Sequence, residues 1–211
     1  MGAEDQAEQA LAPLRELLAL SQTGLAFTTD KFDRERYTRV REIVAEMLRV
    51  PHAGNPGFDP SVVLGADTGY ATPKVDVRGA AFRDNRILMV RERSDGLWTL
   101  PGGWADVNQS PTESVVKEVR EESGFEAKVV KLAALLDRRK HLHTPKFHHI
   151  YKLFFLCELT GGSAGTSIET DAVDFFAEDA LPPLSIQRVT APQIQLMFRH
   201  RRDPGLPTDL D

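Results

Sequence analysis

The sequence predicts an α+β fold: a mixed sheet with packed helices, preceded by a small helical domain. Helical periodicity fills the first 50 residues, and strand periodicity begins at Val75. A single helical pattern over 111–123 interrupts the strands, and a second follows the last of them. Strands first, one helix inserted, more strands and a final helix differ from the strict alternation of a doubly wound fold.

The first element, from Glu4 to Leu20, is rich in Ala, Leu, Glu and Gln and is interrupted only by Pro13. A second helix begins after Thr29-Asp30, either of which can cap it. Tyr37, Val40, Val44, Met47 and Leu48 recur at helical spacing, while Arg36, Arg39, Arg41, Glu42 and Glu46 form the other face. Two such helices cannot bury their apolar stripes alone, so they pack on the main domain or on a second copy. Residues 1–60 are therefore expected to form a helical domain for dimerisation or as a lid. Pro and Gly punctuate 51–73; 61–73 is read as a linker and 74–205 as the main domain.

In that domain Val75, Val77, Ala80 and Phe82 begin a strand region, and Asp84-Asn85 marks a turn. Ile87–Val90 and Leu97–Leu100 follow as strands before Pro101-Gly102-Gly103 breaks the pattern. Pro111 suits the first turn of a helix ending at Gly124. Strands resume at Lys128–Leu136, Tyr151–Leu159 and Ala172–Phe176, and a last helix covers Ala191–Arg201.

A formal charge of −5 argues against extended contact with DNA, though a local basic cluster and metal ions can still hold a small anion. The one cysteine, Cys157, lies in an apolar run and reads as a buried thiol; a Cys-rich zinc site is excluded. No apolar stretch reaches the roughly 20 residues of a membrane span, and the acidic start does not resemble a secretory signal. The cytoplasm is the expected location.

The chemistry centres on Glu118, Glu121 and Glu122. At about 100° per residue these fall within one arc of a helix, beside the arc of Val115, Val116 and Val119 that would anchor it to the sheet. Three crowded carboxylates repel one another, and Mg²⁺ or Mn²⁺ relieves that repulsion. An isolated Glu-x-x-Glu-Glu is usually only a solvated surface, so the flanks decide. Upstream, Gly102 and Gly103 can turn a carbonyl toward a metal or let a phosphate approach the chain. The full run Gly103-(x5)-Gln109-(x7)-Lys117-Glu118-Val119-Arg120-Glu121-Glu122-Ser123-Gly124-Phe125 resembles the Nudix box without a gap. Gln109 stands where the box has Glu and Lys117 where it has Arg; Lys has a point charge instead of a fork, and Glu113 one turn earlier suits it as a partner.

The segments Val75–Arg78, Asp95–Trp98, Trp104–Val107, Leu136–His141 and Phe154–Glu158, with Thr23–Leu48 at the N-terminal end, resemble one Nudix group with a helical N-terminal domain. That group includes CDP-choline pyrophosphatases and ADP-ribose pyrophosphatases. The resemblance implies a Nudix α/β/α sandwich, metal-dependent hydrolysis of a diphosphate linkage in a small nucleotide derivative, and a homodimer. It implies Glu118, Glu121 and Glu122 as metal ligands, joined by a Gly102 or Gly103 carbonyl. The general base is Glu121, Glu122 or Glu169, the last on a loop after a Gly-rich turn. Arg138 and Lys140, in a basic run ending a strand, are candidate phosphate clamps; Arg78 and Arg91 are further candidates to meet phosphates or box carboxylates. Trp104 is a candidate to stack on a base or a choline-like cation, while Trp98 reads as core. His141, His143, His148 and His149 read as surface or substrate-contact residues in preference to zinc ligands. Two alternatives remain at this point: a nuclease acting on RNA ends, and a nucleotide sensor that no longer cuts.

Overall fold

A computed structural model describes residues 3–49, 69–143 and 148–211. Positions 61–68 of the expected linker, and the Pro/Gly-rich stretch before them, lie outside the described residues. The described residues divide into two compact units, 3–49, 69–73 and 148–149 in the first and 74–143 and 150–211 in the second.

In the first unit α1 (Ala3–Phe27) and α2 (Lys31–Arg49) pack on each other. α1 runs through Pro13, which is exposed, and continues well past Leu20. Asp30 caps α2: its Oδ1 accepts from the amides of Phe32 and Asp33 at 2.9 and 3.0 Å, a contact worth about 1 kcal/mol. Leu14, Val44 and Leu48 form the core of the pair with Leu11 and Leu18. Met47, on the stripe that the spacing defines, is instead 49% exposed, and Leu17, Leu20, Phe27, Phe32 and Ile43 are also exposed. No helix among the described residues is long and apolar enough to cross a membrane.

Among the described residues, the second unit is a seven-stranded mixed sheet between two α-helices. Its strands are β1 (Lys74–Arg83), β2 (Arg86–Glu92), β3 (Trp98–Thr99), β4 (Phe125–Asp137), β5 (Ile150–Gly162), β6 (Thr170–Phe176) and β7 (Asp209–Leu210). They lie in the order β3-β2-β1-β5-β4-β7, with β6 on the other edge of β2. β1 and β5 run parallel in the centre, which explains their apolar runs. Asp84 and Asn85 take positive φ of 49° and 57° in the β1–β2 turn, as a tight hairpin requires. β4, β5 and β6 each exceed their expected limits, and β7 pairs with β4 over only two residues, too few for a sequence pattern.

Alternation along β1 and β5 sends side chains to two cores. Val77, Ala81, Leu88, Phe155 and Cys157 pack under Val115 and Val119 of α3 (Pro111–Ser123). Ala80, Phe154 and Leu156 pack under Ile194, Met197 and Phe198 of α4 (Ala191–Arg202). Each fully buried aliphatic side chain contributes about 1.5–3 kcal/mol by leaving water. Cys157 is one of these packing groups, and burial pushes its thiol up to about 12.

The pairing of β1 sets up the site. β2 separates from β1 after two paired residues. The turn at 101–103 takes its place: Val77 N–H donates to Gly103 O and Gly79 N–H to Pro101 O, both at 2.8 Å.

Candidate active site

α3 is fixed at both ends before it presents any chemistry. Ser110 and Glu113 form a reciprocal capping box with Pro111 in the first turn, and Gly124 ends the helix at φ +75°. Val115 and Val119 are fully buried, so the helix cannot roll, and Glu118, Glu121 and Glu122 are held along one rim.

A cavity of about 360 Å³ lies against that rim. Its walls are Gly103, Trp104, Asp106, Lys117, the three glutamates and the loop Ser167–Glu169. The loop is tied to the helix by Thr170, whose hydroxyl donates to the Glu122 carbonyl at 2.7 Å. The structure thus brings together the expected Glu118, Glu121, Glu122, Glu169, Gly103 and Trp104. Glu122 is buried, Glu118 half-buried, and Glu121 and Glu169 exposed.

Gly102 lies just behind the wall. Its N–H donates to Glu122 Oε2 at 2.8 Å. Its φ of +146°, and the 2.0 Å that would separate a Cβ there from the Val77 carbonyl oxygen, restrict the position to glycine. A Cβ at Gly103 would stand 3.0 Å from Glu118 Oε1, so backbone and carboxylate are already close.

Burial pushes Glu122 up to about 8, against the pull of Arg78 and of the Gly102 N–H. Glu118 is also raised by burial, with Arg78 and Lys117 opposing. Partly desolvated carboxylates beside one another favour a bound cation, and an all-oxygen donor set suits Mg²⁺ or Mn²⁺. Among the described residues the carboxylates share the cavity without three of them converging on one point as a closed metal shell.

Several expected site residues sit elsewhere. Arg78 is buried with its guanidinium already engaged: Nε and Nη2 donate to Asp76 at 2.9 and 2.7 Å, and Nη1 donates to the Leu100 carbonyl at 3.2 Å. It stands near Glu122 and Glu118 as a fixed cation, each of its three nitrogens already donating to a protein oxygen. Arg91 pairs with Asp171 at 2.7 Å and does not line the cavity. The basic run forms a 3₁₀ turn, Arg138–Lys140, in which Arg138 is buried and donates to the Gln187 carbonyl; neither Arg138 nor Lys140 lines the cavity. His143 is likewise buried, between the Ile186 carbonyl and Gln193, and not a surface histidine. Lys117 pairs with Asp106 at 2.8 Å and not with Glu113, which the capping box occupies. Gln109 accepts from the Ser114 hydroxyl at 3.4 Å, beside the start of α3. Trp98 is half-buried against Phe176 at 4.7 Å, whereas Trp104 is 47% exposed in the cavity wall.

Sequence reasoning missed Asp76 and Lys152, which are cross-strand partners in β1 and β5. Lys152 is 1% exposed, with Nζ 2.5 Å from Asp76 Oδ1. Despite burial, Arg78 and Lys152 hold the Asp76 carboxyl well below the usual range. Burial draws the Lys152 ammonium down, and Asp76 offsets part of that. The available signal was a charged residue at an inward position of each central strand. Glu92, buried and paired with Arg188 at 3.0 Å, was also missed.

Comparison with known proteins agrees with this geometry. Residues 72–197 match the NUDIX domain, and residues 8–54 match a UDP-X-like N-terminal oligomerisation domain. YjhB of Bacillus subtilis (strain 168), provisionally named an ADP-ribose pyrophosphatase, is 46% identical over 196 residues, 92% of each chain. A crystal structure of UDP-X diphosphatase is 36% identical with a TM-score of 0.63, covering 99% of this chain and 100% of that one. A crystal structure of an ADP-ribose pyrophosphatase from Streptococcus suis 89-1591 is 43% identical with a TM-score of 0.61, covering 66% of this chain and all of its own. With a sandwich of this topology and the box carboxylates gathered on one cavity, the chain belongs to the Nudix hydrolase family.

Proposed function

We propose that the acidic cavity hydrolyses the diphosphate linkage of a nucleoside diphosphate derivative of the ADP-ribose or CDP-choline type, with Mg²⁺ or Mn²⁺ as cofactor. The observation that carries this reading is the shared cavity of Glu118, Glu121, Glu122 and Glu169 beside the exposed ring of Trp104. The relatives support the substrate class, since ADP-ribose and UDP-X are both named as nucleoside diphosphates carrying a further group.

Glu118, Glu121 and Glu122 would hold the ions, with a carbonyl of Gly102 or Gly103. Divalent ions there neutralise the diphosphate and ease deprotonation of water. Glu122 is the fixed member, because the Gly102 N–H orients one of its oxygens. Glu121 and Glu169 are exposed to the cavity and suited to accept the proton from the attacking water. Trp104 offers a flat wall for a base or a cationic substituent.

The test is incubation with Mg²⁺ or Mn²⁺ and a panel of ADP-ribose, CDP-choline, UDP-sugars, nucleoside triphosphates and capped RNA, with Glu121→Gln as control. Metal-dependent cleavage of one diphosphate derivative, absent in the variant, is expected. Cleavage of RNA ends alone, or tight nucleotide binding without cleavage, would overturn the reading.

The N-terminal helical pair is proposed to join two copies into a homodimer. The matched domain is described as an oligomerisation domain, and Leu17, Leu20, Ile43 and Met47 are exposed apolar residues on the pair. Light scattering should give twice the chain mass, and Leu20→Glu with Met47→Glu should halve it. A monomeric wild type would refute the dimer.

A further inference from the structure

Asp76 and Lys152 lie on the sheet face that carries Ala80 and Phe154, under α4. They are joined to the acidic cavity by a continuous row of contacts. Lys152 Nζ donates to Asp76 Oδ1, and Asp76 receives two donors of Arg78. The third Arg78 contact is the Leu100 carbonyl, immediately before the 101–103 turn. That turn supplies the Gly102 N–H bound to Glu122.

A fully buried lysine is costly, and an Asp–Arg pair is already neutral without it. Arg78 and Arg138 stand near enough to disfavour a further cation as well, and only Asp76 offsets them. What Lys152 adds is a second anchor on Asp76. Oδ1 is shared between Lys152 and Arg78 Nε, which fixes the rotation of the carboxylate and with it the plane of the guanidinium.

We infer that Asp76 and Lys152 are positioning residues for the acidic site: they orient Arg78 so that it holds the Leu100 carbonyl, and thereby set the Gly102 N–H against Glu122. This inference rests on the proposed hydrolase reading for its effect on rate, but its geometric part is measurable without any substrate.

The experiment follows amide hydrogen exchange in the full-length protein, with Lys152→Met and Asp76→Asn as variants. The Gly102 amide is expected to exchange at least tenfold faster in both, while amides in the middle of β5 keep their wild-type protection. With whichever nucleotide derivative the wild type cleaves, kcat should fall about tenfold and KM should change less than about twofold. Unchanged Gly102 exchange in both variants overturns the inference. So does a uniform loss of protection across the sheet, which would mark a purely structural role. A wild type that cleaves nothing would refute the hydrolase reading alone, since the exchange result stands independently.

Discussion

The Gly102 N–H donates to Glu122 Oε2 across 2.8 Å, joining the turn after β3 to the third box carboxylate. This bond compensates a carboxylate that burial would otherwise disfavour. Gly102→Ala adds a Cβ 2.0 Å from the Val77 carbonyl oxygen at a positive φ, so the turn must move. The expected result is a loss of stability of about 2 kcal/mol or more. Activity should fall even at temperatures where the variant is fully folded. Denaturant unfolding with parallel kinetics checks both, and a variant with wild-type kcat would show that the bond does not position Glu122.

Trp104 lines the cavity with 47% of its surface exposed, whereas Trp98 packs against Phe176. If its ring stacks on the base, Trp104→Ala removes about 1–3 kcal/mol of substrate binding. KM should then rise at least fivefold with little change in kcat, and Trp104→Phe should restore most of it. A large drop in kcat at constant KM would place Trp104 in the chemistry and not in substrate binding.

How much of this was legible in the sequence depends on the range of each interaction. α3, its caps and its carboxylates follow from neighbours within a few residues, and Asp30 could be read as a cap for the same reason. The buried row was not legible. Asp76 and Lys152 meet only because parallel strands align them across 76 positions of chain, and no local period encodes that register. Arg138 reads in the sequence as a candidate phosphate clamp, because nothing local shows that the Gln187 carbonyl receives it. Glu113 stands one turn from Lys117 in the sequence, yet it is held by Ser110, leaving Asp106 from the preceding loop. Pro13 predicts an interruption, but the helix runs through it at an exposed position.

The Lys117–Asp106 pair lies at the cavity edge with 34% and 55% of its side chains exposed. Solvent screening should keep its coupling below about 1 kcal/mol despite the short contact. A double-mutant cycle of Lys117→Ala and Asp106→Ala measures that coupling, and it should shrink further in about 0.5 M salt. Lys117→Arg, which restores the residue usual in the Nudix box, should keep both stability and activity within about twofold. A coupling above 2 kcal/mol would mean that the pair is an integral brace of α3.

His143 makes stability depend on pH. Burial pushes it down to about 3, helped by the nearby Lys152 and Arg138 cations and opposed by the Ile186 carbonyl and Asp76. Its Nδ1 lies 2.7 Å from that carbonyl oxygen and its Nε2 3.0 Å from Gln193 Nε2, so the neutral ring can donate to one and accept from the other. The unfolded chain binds a proton at this histidine below about pH 6.5, whereas the folded chain does not until about pH 3. The unfolded state therefore holds more protons throughout that window, and stability falls as pH drops through it. His143→Gln can keep both hydrogen bonds without titrating, so the variant should lose less stability than the wild type between about pH 7 and pH 4. The difference in slope should approach about 1.4 kcal/mol per pH unit, the value for one proton. Parallel stability curves for the two proteins would mean that His143 takes up its proton in the folded state as readily as in the unfolded one.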